Sequence, residues 1–242
     1  MSKALEINNL NKTFNNKSSA CQVLKNINLE IKEGEIFGLI GLNGIGKTTL
    51  IKSILNLLRI DLGDIKIFNT DKDNPIARKN VCYLPEKFYP SQYLTGYEFL
   101  KYSLSFFDKP LNIEEVHRVA KKIDLDVSAL KQVVHQYSKG MGQKLGLLYC
   151  LLSDAKLLIL DEPMTGLDPK ARVLLKLALK DYVKHGNTIF FSSHILDDVE
   201  EICDTMAVLH NGEIKFIGQP LEFRETYKEV NIEKSFLKCI ED

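Results

Sequence analysis

Eight consecutive residues, Gly41-Leu42-Asn43-Gly44-Ile45-Gly46-Lys47-Thr48, follow the pattern G-x-x-x-x-G-K-[ST] in full. Glycines let backbone N–H groups turn inward around an anion, and a helix that opens at the lysine turns its positive end to the same point. Asn43, Gly44 and Gly46 would then line a phosphate, with Lys47 reaching the β- and γ-phosphates of a nucleotide. The Thr48 hydroxyl would coordinate Mg²⁺, and Thr49 completes the nucleotide-contacting set. The bland alternative is a glycine-rich turn that happens to carry a lysine. An apolar strand before it and helical spacing after it count against that. The loop alone does not separate ATP from GTP, although no N/T-K-x-D motif of a guanine-reading site stands in a suitable setting.

A second constellation is Asp161-Glu162-Pro163, which closes the apolar run Leu157 to Leu160. Adjacent carboxylates at the end of a buried strand repel one another. A Mg²⁺ ion at Asp161 offsets that cost and leaves Glu162 to orient or deprotonate an attacking water. A polar strand end that caps the next turn would look the same in isolation.

These groups need a scaffold, and the flanking patterns supply one. Ile36 to Ile40 is a continuous apolar run ahead of the glycine loop, and Thr48 to Leu58 has helical spacing. That order marks a buried parallel strand feeding a crossover helix. Leu157 to Leu160 and Thr188 to Phe191 read as further buried strands, with a helix over Pro169 to Lys184 between them. Val23 to Ile31 alternates, placing Ile27, Leu29 and Ile31 on one face of a half-buried strand. Met206–Leu209 and Ile214–Ile217 flank Asn211-Gly212, a hairpin signal. Residues 95 to 153 read as mostly helical. Thr95 and Glu98 have capping-box spacing inside a Leu94/Phe99 staple and open a helix to about Phe107, and Asn112 with Glu115 opens another.

Composition bounds the possibilities. The 242 residues carry 32 Lys+Arg against 32 Asp+Glu, so formal net charge is zero and the basic surplus of a general nucleic-acid binder is missing. Five scattered cysteines form no C-x-x-C pair, which disfavours a zinc site or a disulfide framework and fits a reducing compartment. Neither a signal-peptide pattern at Met1 to Glu6 nor an apolar run of about 18 residues is found, so work at a membrane would pass through a partner. His117, His135, His185 and His210 read as surface residues.

Further motifs carry a family resemblance. Tyr137-Ser138-Lys139-Gly140-Met141-Gly142-Gln143-Lys144 resembles a divergent ABC ATPase signature, commonly spelled L-S-G-G-Q. Gly166-Leu167-Asp168 is similar to the D-loop of that family, His194 after Ser192-Ser193 to its switch histidine, and Tyr83-Leu84-Pro85-Glu86 to its Q-loop. Phe14 matches the aromatic that stacks on adenine. The resemblance runs from about residue 4 to 220, in the family's order.

It implies an α/β fold: a P-loop NTPase core with a mainly parallel sheet, an N-terminal antiparallel β subdomain and an inserted helical subdomain at about 87–153. Residues 1–220 would form one ATPase domain and 221–242 a helical tail. The implied protein is a cytoplasmic ATPase, peripheral on the inner membrane face, that powers a separate polytopic membrane-spanning subunit, with export as the direction. The alternative is a soluble ABC ATPase acting on ribosomes or DNA. Two copies, or one copy and a related ATPase, would pack head-to-tail on ATP. Ser138 and Gly140 would then touch the nucleotide held by the partner, and Asp168 would couple the two sites. Catalysis would fall to Glu162, His194 and Glu86, and Mg²⁺ to Thr48, Glu86 and Asp161. Lys139 replaces the first signature glycine and Glu86 the usual glutamine. The aromatic stretch Lys87-Phe88-Tyr89-Pro90 would adjoin the surface that receives the membrane subunit, or else pack within the helical region.

Overall fold

The computed structural model describes residues 2–16 and 19–241. In chain order the strands are β1 (Lys3–Asn16), β2 (Ser19–Lys32), β3 (Ile36–Ile40), β4 (Leu62–Ile67), β5 (Thr70–Asp71), β6 (Val81–Leu84), β7 (Leu157–Asp161), β8 (Thr188–Ser193), β9 (Thr205–His210) and β10 (Glu213–Gly218). The helices are α1 (Lys47–Ile54), α2 (Gly96–Ser105), α3 (Ile113–Lys122), α4 (Lys139–Leu152), α5 (Pro169–Lys184), α6 (Leu196–Ile202), α7 (Pro220–Tyr227) and α8 (Ile232–Glu241). The class is α/β with one antiparallel sheet and mainly parallel pairing elsewhere, as the sequence implies. Two compact units divide the chain, Met1–Lys79 with Thr188–Asp242, and Asn80–Asn187.

In the first unit an antiparallel sheet runs β2-β1-β4-β5. Leu5 faces Ile31 and Ile7 faces Leu29 across β1 and β2, all buried, so apolar alternation sets the register. Register shifts fall where Asn9 (φ 50°) and Asn26 (φ 49°) take left-handed backbone, a conformation asparagine tolerates at bulges. β3 pairs in parallel with β8 on one side and β9 on the other. All five β3 residues and all six of β8 are buried, as expected for parallel strands covered on both faces. Each fully buried Leu, Ile or Phe here contributes about 1.5–3 kcal/mol. β9 and β10 form the antiparallel hairpin signalled by Asn211-Gly212. α7 and α8 follow it; α8 buries Ile232, Phe236 and Cys239, and Phe223 of α7 packs between Phe216 and Tyr227 with its ring tilted to both.

In the second unit β6 and β7 pair in parallel. α2 opens with the expected capping box: the Thr95 N–H donates to Glu98 Oε2 (2.8 Å), and the Glu98 N–H returns to Thr95 Oγ1 (3.3 Å). The Asn112 side chain likewise accepts from the Glu115 N–H to start α3. Phe88 packs edge-on against Phe99, which meets Tyr149 of α4, so Phe88 belongs to this unit's interior packing, whereas Tyr89 is exposed.

Candidate functional site

The phosphate loop is the turn between β3 and α1. Gly46 caps the helix at φ 118°, and a β-carbon there would stand 2.9 Å from Val23 Cγ1. Only glycine fits both the dihedral and the space. Gly44 also has positive φ, at 79°, with open space around it. Lys47 is 6% exposed, and its ammonium donates to the carbonyl oxygens of Gly41 (2.6 Å) and Leu42 (3.3 Å). The lysine thus holds the loop closed from inside, its charge turned toward the chain segment whose amides would receive an anion.

Strand register brings further groups to the same edge. Ile40 lies opposite Ser193 across β3 and β8, so Gly41 and His194 leave adjacent parallel strands side by side, roughly 5 Å apart in the pairing direction. Ser193 fixes the exit, its hydroxyl accepting from the Ile195 N–H at 2.9 Å. His194 is exposed. Phe14 lies on β1 opposite Cys21, close along β2 to the Val23 and Leu24 side chains that abut Gly46. Phe14 is 38% exposed, with the Lys12 ammonium 5.3 Å from its ring centroid. An open aromatic face beside the loop suits base stacking.

The second unit presents an acidic strand edge. Leu84 lies opposite Leu160 across β6 and β7, so Glu86 and the Asp161-Glu162 pair leave at the same end. Asp161 is fully buried and Glu86 exposed. Burial first, then the charges of Asp161 and Glu86, push the Tyr83 phenol well above its ordinary value, which marks a negative field at this edge. Glu162 is buried with φ 50°, a left-handed backbone that costs a non-glycine residue about 1–2 kcal/mol. Strain of that kind concentrates at functional positions.

In the same unit Ser138 caps α4, its hydroxyl accepting from the Met141 N–H at 3.2 Å. Asp168 caps α5 through the Ala171 N–H at 2.9 Å. Ser138, Gly140, Met141, Gly166, Leu167 and Asp168 all line one cavity of about 330 Å³. The Ser138–Met141 and Gly166–Asp168 segments therefore form one concave face.

Among the described residues no three His, Cys, Asp or Glu side chains group closely enough to hold a metal ion. The Asp161 and Glu86 carboxylates, which leave at one strand end, are hard oxygen donors of the kind that suits Mg²⁺, as is a threonine hydroxyl such as that of Thr48; Mg²⁺ keeps waters and shares substrate phosphates rather than filling a protein cage.

The profile of the ABC transporter family matches residues 24–165. The chain belongs to the ABC transporter family. An uncharacterised ABC transporter ATP-binding protein of Nostoc sp. is 40% identical over 199 residues, which is 81% of this chain and 59% of that protein's length. The bacitracin transport ATP-binding protein BcrA of Enterococcus faecalis is 33% identical over 232 residues, 88% of this chain and 68% of its own length. A solved structure of the ATP-binding subunit of an ABC transporter superposes with a TM-score of 0.86 at 30% identity, covering 98% of this chain and 99% of that one.

Within the ABC cassette, the sequence motifs therefore fall into two sets. The first unit holds Phe14, Asn43, Gly44, Gly46, Lys47, Thr48, Thr49 and His194. The second holds Glu86, Ser138, Gly140, Asp161, Glu162 and Asp168. His210 corrects one expectation. Rather than lying on the surface it is half-buried at the end of β9, opposite Glu213 of β10, with Nδ1 shielded from solvent. Lys144 stands inside the signature-like stretch, yet its partners Asp124 and Asp168 come from far along the sequence, so no local pattern announces the cluster.

Proposed function

We propose that this cassette binds ATP with Mg²⁺, hydrolyses it, and so drives a separate membrane-spanning transporter subunit in the direction of export. The observation that carries this is the Ile40–Ser193 register, which sets His194 beside the phosphate loop. No helix among the described residues is long and apolar enough to cross a membrane. In this reading the chain works at the cytoplasmic membrane face through its partner. The relative named for bacitracin transport supports the transport class.

The loop amides of Asn43, Gly44 and Gly46 cradle the phosphates, with Thr49 on the following turn, and Lys47 places its charge at the β- and γ-positions. Thr48, Asp161 and Glu86 would hold Mg²⁺, which when bound neutralises charge on the phosphate oxygens. Glu162 orients the attacking water and takes its proton on a carboxylate oxygen. His194 donates to the oxygens on which negative charge develops. Phe14 offers its open face to the adenine.

In a head-to-tail dimer, Ser138 and the Gly140 N–H would meet the γ-phosphate held by the other copy. Capping α4 uses an acceptor lone pair of Ser138, so its O–H hydrogen remains available to donate. Residues 1–220 act as one ATPase domain in this scheme, with the helical region at 87–153 inserted and 221–242 as a tail. The test is purification of tagged chain from detergent-solubilised membranes of its own host. A polytopic membrane protein in stoichiometric amount, whose presence in vesicles makes transport ATP-dependent, is the expected result. Recovery only with ribosomes or DNA would transfer the cassette to the soluble class.

A further inference from the structure

Beside Asp168, the cavity beneath the signature segment holds two charged groups that the proposed chemistry does not use, Lys144 and Asp124. Lys144, one turn and a half beyond Ser138 on α4, is largely buried, its side chain 12% exposed. Its ammonium donates to the Asp124 carbonyl oxygen (2.7 Å) and Asp124 Oδ2 (3.3 Å), and stands 3.9 Å from Asp168 Oδ2. Asp124 follows α3 in left-handed backbone (φ 57°), and its other carboxylate oxygen takes the exposed Lys170 ammonium at 2.7 Å. Lys170 first, then Lys144, hold the Asp124 carboxyl below its ordinary value. Asp168 divides its oxygens between two tasks, Oδ1 capping α5 and Oδ2 facing Lys144.

The neighbouring residue completes a bracket. Gln143, buried on α4, donates to the Pro163 carbonyl oxygen at 3.3 Å, directly after Glu162. Between Pro163 and Asp168 the chain coils tightly, with the Thr165 N–H on the Glu162 carbonyl and the Leu167 N–H on the Met164 carbonyl. A β-carbon on Gly140 would stand 3.5 Å from the Gly166 carbonyl oxygen, so the coil lies against the signature turn. One end of the segment from Glu162 to Asp168 is thus tied to α4 by Gln143, and the other end faces Lys144.

The structure assigns Lys144 as a positioning residue for ATP hydrolysis: its ammonium, set between Asp124 and Asp168, holds the D-loop in register with Ser138 and Gly140, so that all three meet the partner copy as one rigid face. This rests on the head-to-tail dimer proposed above. Removing the ammonium leaves two carboxylates facing each other across the cavity with only the solvated Lys170 to offset them, and the D-loop loses its tie while α5 keeps its cap. The nucleotide loop belongs to the other unit. Lys144 should therefore affect turnover and dimer formation and spare nucleotide loading.

The test uses the full chain and the variants Lys144→Met, which keeps the stem, and Lys144→Arg, which keeps the charge. Three quantities are read: affinity for a fluorescent ATP analogue, steady-state kcat with KM, and ATP-dependent dimerisation in a Glu162→Gln background. Lys144→Met should hold analogue affinity within about twofold, while kcat falls about tenfold or more and the dimer weakens by a similar factor. Lys144→Arg should restore both. Asp124→Asn should weaken turnover in the same sense, and adding it to Lys144→Met should cost little more, because the two act through one contact. Wild-type kcat and dimerisation in Lys144→Met would overturn the assignment. So would a parallel loss of analogue affinity and melting temperature, the mark of a general folding defect. Wild-type hydrolysis and an ATP-bound Glu162→Gln dimer check the parent reading in the same preparation. If both fail, the two fall together; if both hold and Lys144→Met behaves as wild type, only the positioning role falls.

Discussion

Gly46→Ala offers a quantitative probe of the phosphate loop, because Gly44→Ala is its internal control. Both glycines have positive φ, at 118° and 79°, so alanine at either position meets backbone strain of about 1–2 kcal/mol. Only at Gly46 does the new methyl group also meet neighbours, Val23 Cγ1 at 2.9 Å and Leu24 Cδ2 at 3.4 Å, while nothing lies within 4 Å at Gly44. Val23 is held by its strand and cannot retreat freely, so overpacking adds about 1–3 kcal/mol. The expected losses are then about 2–5 kcal/mol for Gly46→Ala and about 1–2 for Gly44→Ala. At about 3 °C per kcal/mol for a chain of this size, melting temperature should fall by roughly 6–15 °C and 3–6 °C respectively. Differential scanning calorimetry without nucleotide measures both. ATP-analogue binding should suffer more in Gly46→Ala, since displacement of β2 from the loop moves the N-terminus of α1. Equal melting temperatures for the two variants would refute the claim that β2 packs on the loop.

Other outcomes follow from the same contacts. Thr95→Ala removes one half of the α2 capping box and should cost about 1 kcal/mol in urea unfolding, with ATP-analogue affinity unchanged; no change in the midpoint would contradict the cap. Ser138→Ala should lower ATPase activity while each copy still loads nucleotide, and wild-type turnover would argue against completion of the site in trans. Asp61, Asp124 and Asp181 are each held below the ordinary carboxylate value, first by the Thr13 N–H, Lys170 and Lys122 respectively. A lowered folded-state value means stability present above about pH 4 and lost as pH falls through the folded values. Denaturant midpoints should hold near neutrality and decline below about pH 4, with a shallower decline in Asp61→Asn; a flat acid limb in wild type would count against these pairings.

Much of this was legible in the residues because the signals are local. The glycine loop, the Asn211-Gly212 hairpin, the Thr95 and Asn112 caps and the Pro169–Lys184 helix each depend on chemistry within a few positions. Helix α1 shows where local pattern misleads. Leu57 and Leu58 continue the helical spacing, yet the helix stops at Ile54, because Asn56 turns left-handed (φ 55°) and the amides of Leu57 and Leu58 fold back onto the Lys52 carbonyl. Leu57 is left 65% exposed. Residues 3 to 16 carry no strict alternation, since bulges at Asn9 and beyond shift its phase, so the long strand β1 is hidden from a period-two reading. The placement of His194 beside Gly41 and the Lys144–Asp124–Asp168 cluster are products of long-range pairing, which no window of sequence contains.

Under the proposed function the phosphate loop and the Asp161-Glu162 edge serve one nucleotide, and Glu162→Gln tests that most directly. Binding of radiolabelled ATP and release of phosphate should be measured on the same sample, beside wild type and Lys47→Ala. ATP should remain bound to Glu162→Gln at wild-type affinity while phosphate release falls about a hundredfold or more, whereas Lys47→Ala should lose affinity itself. Undiminished phosphate release from Glu162→Gln, or unaltered ATP affinity in Lys47→Ala, would contradict it.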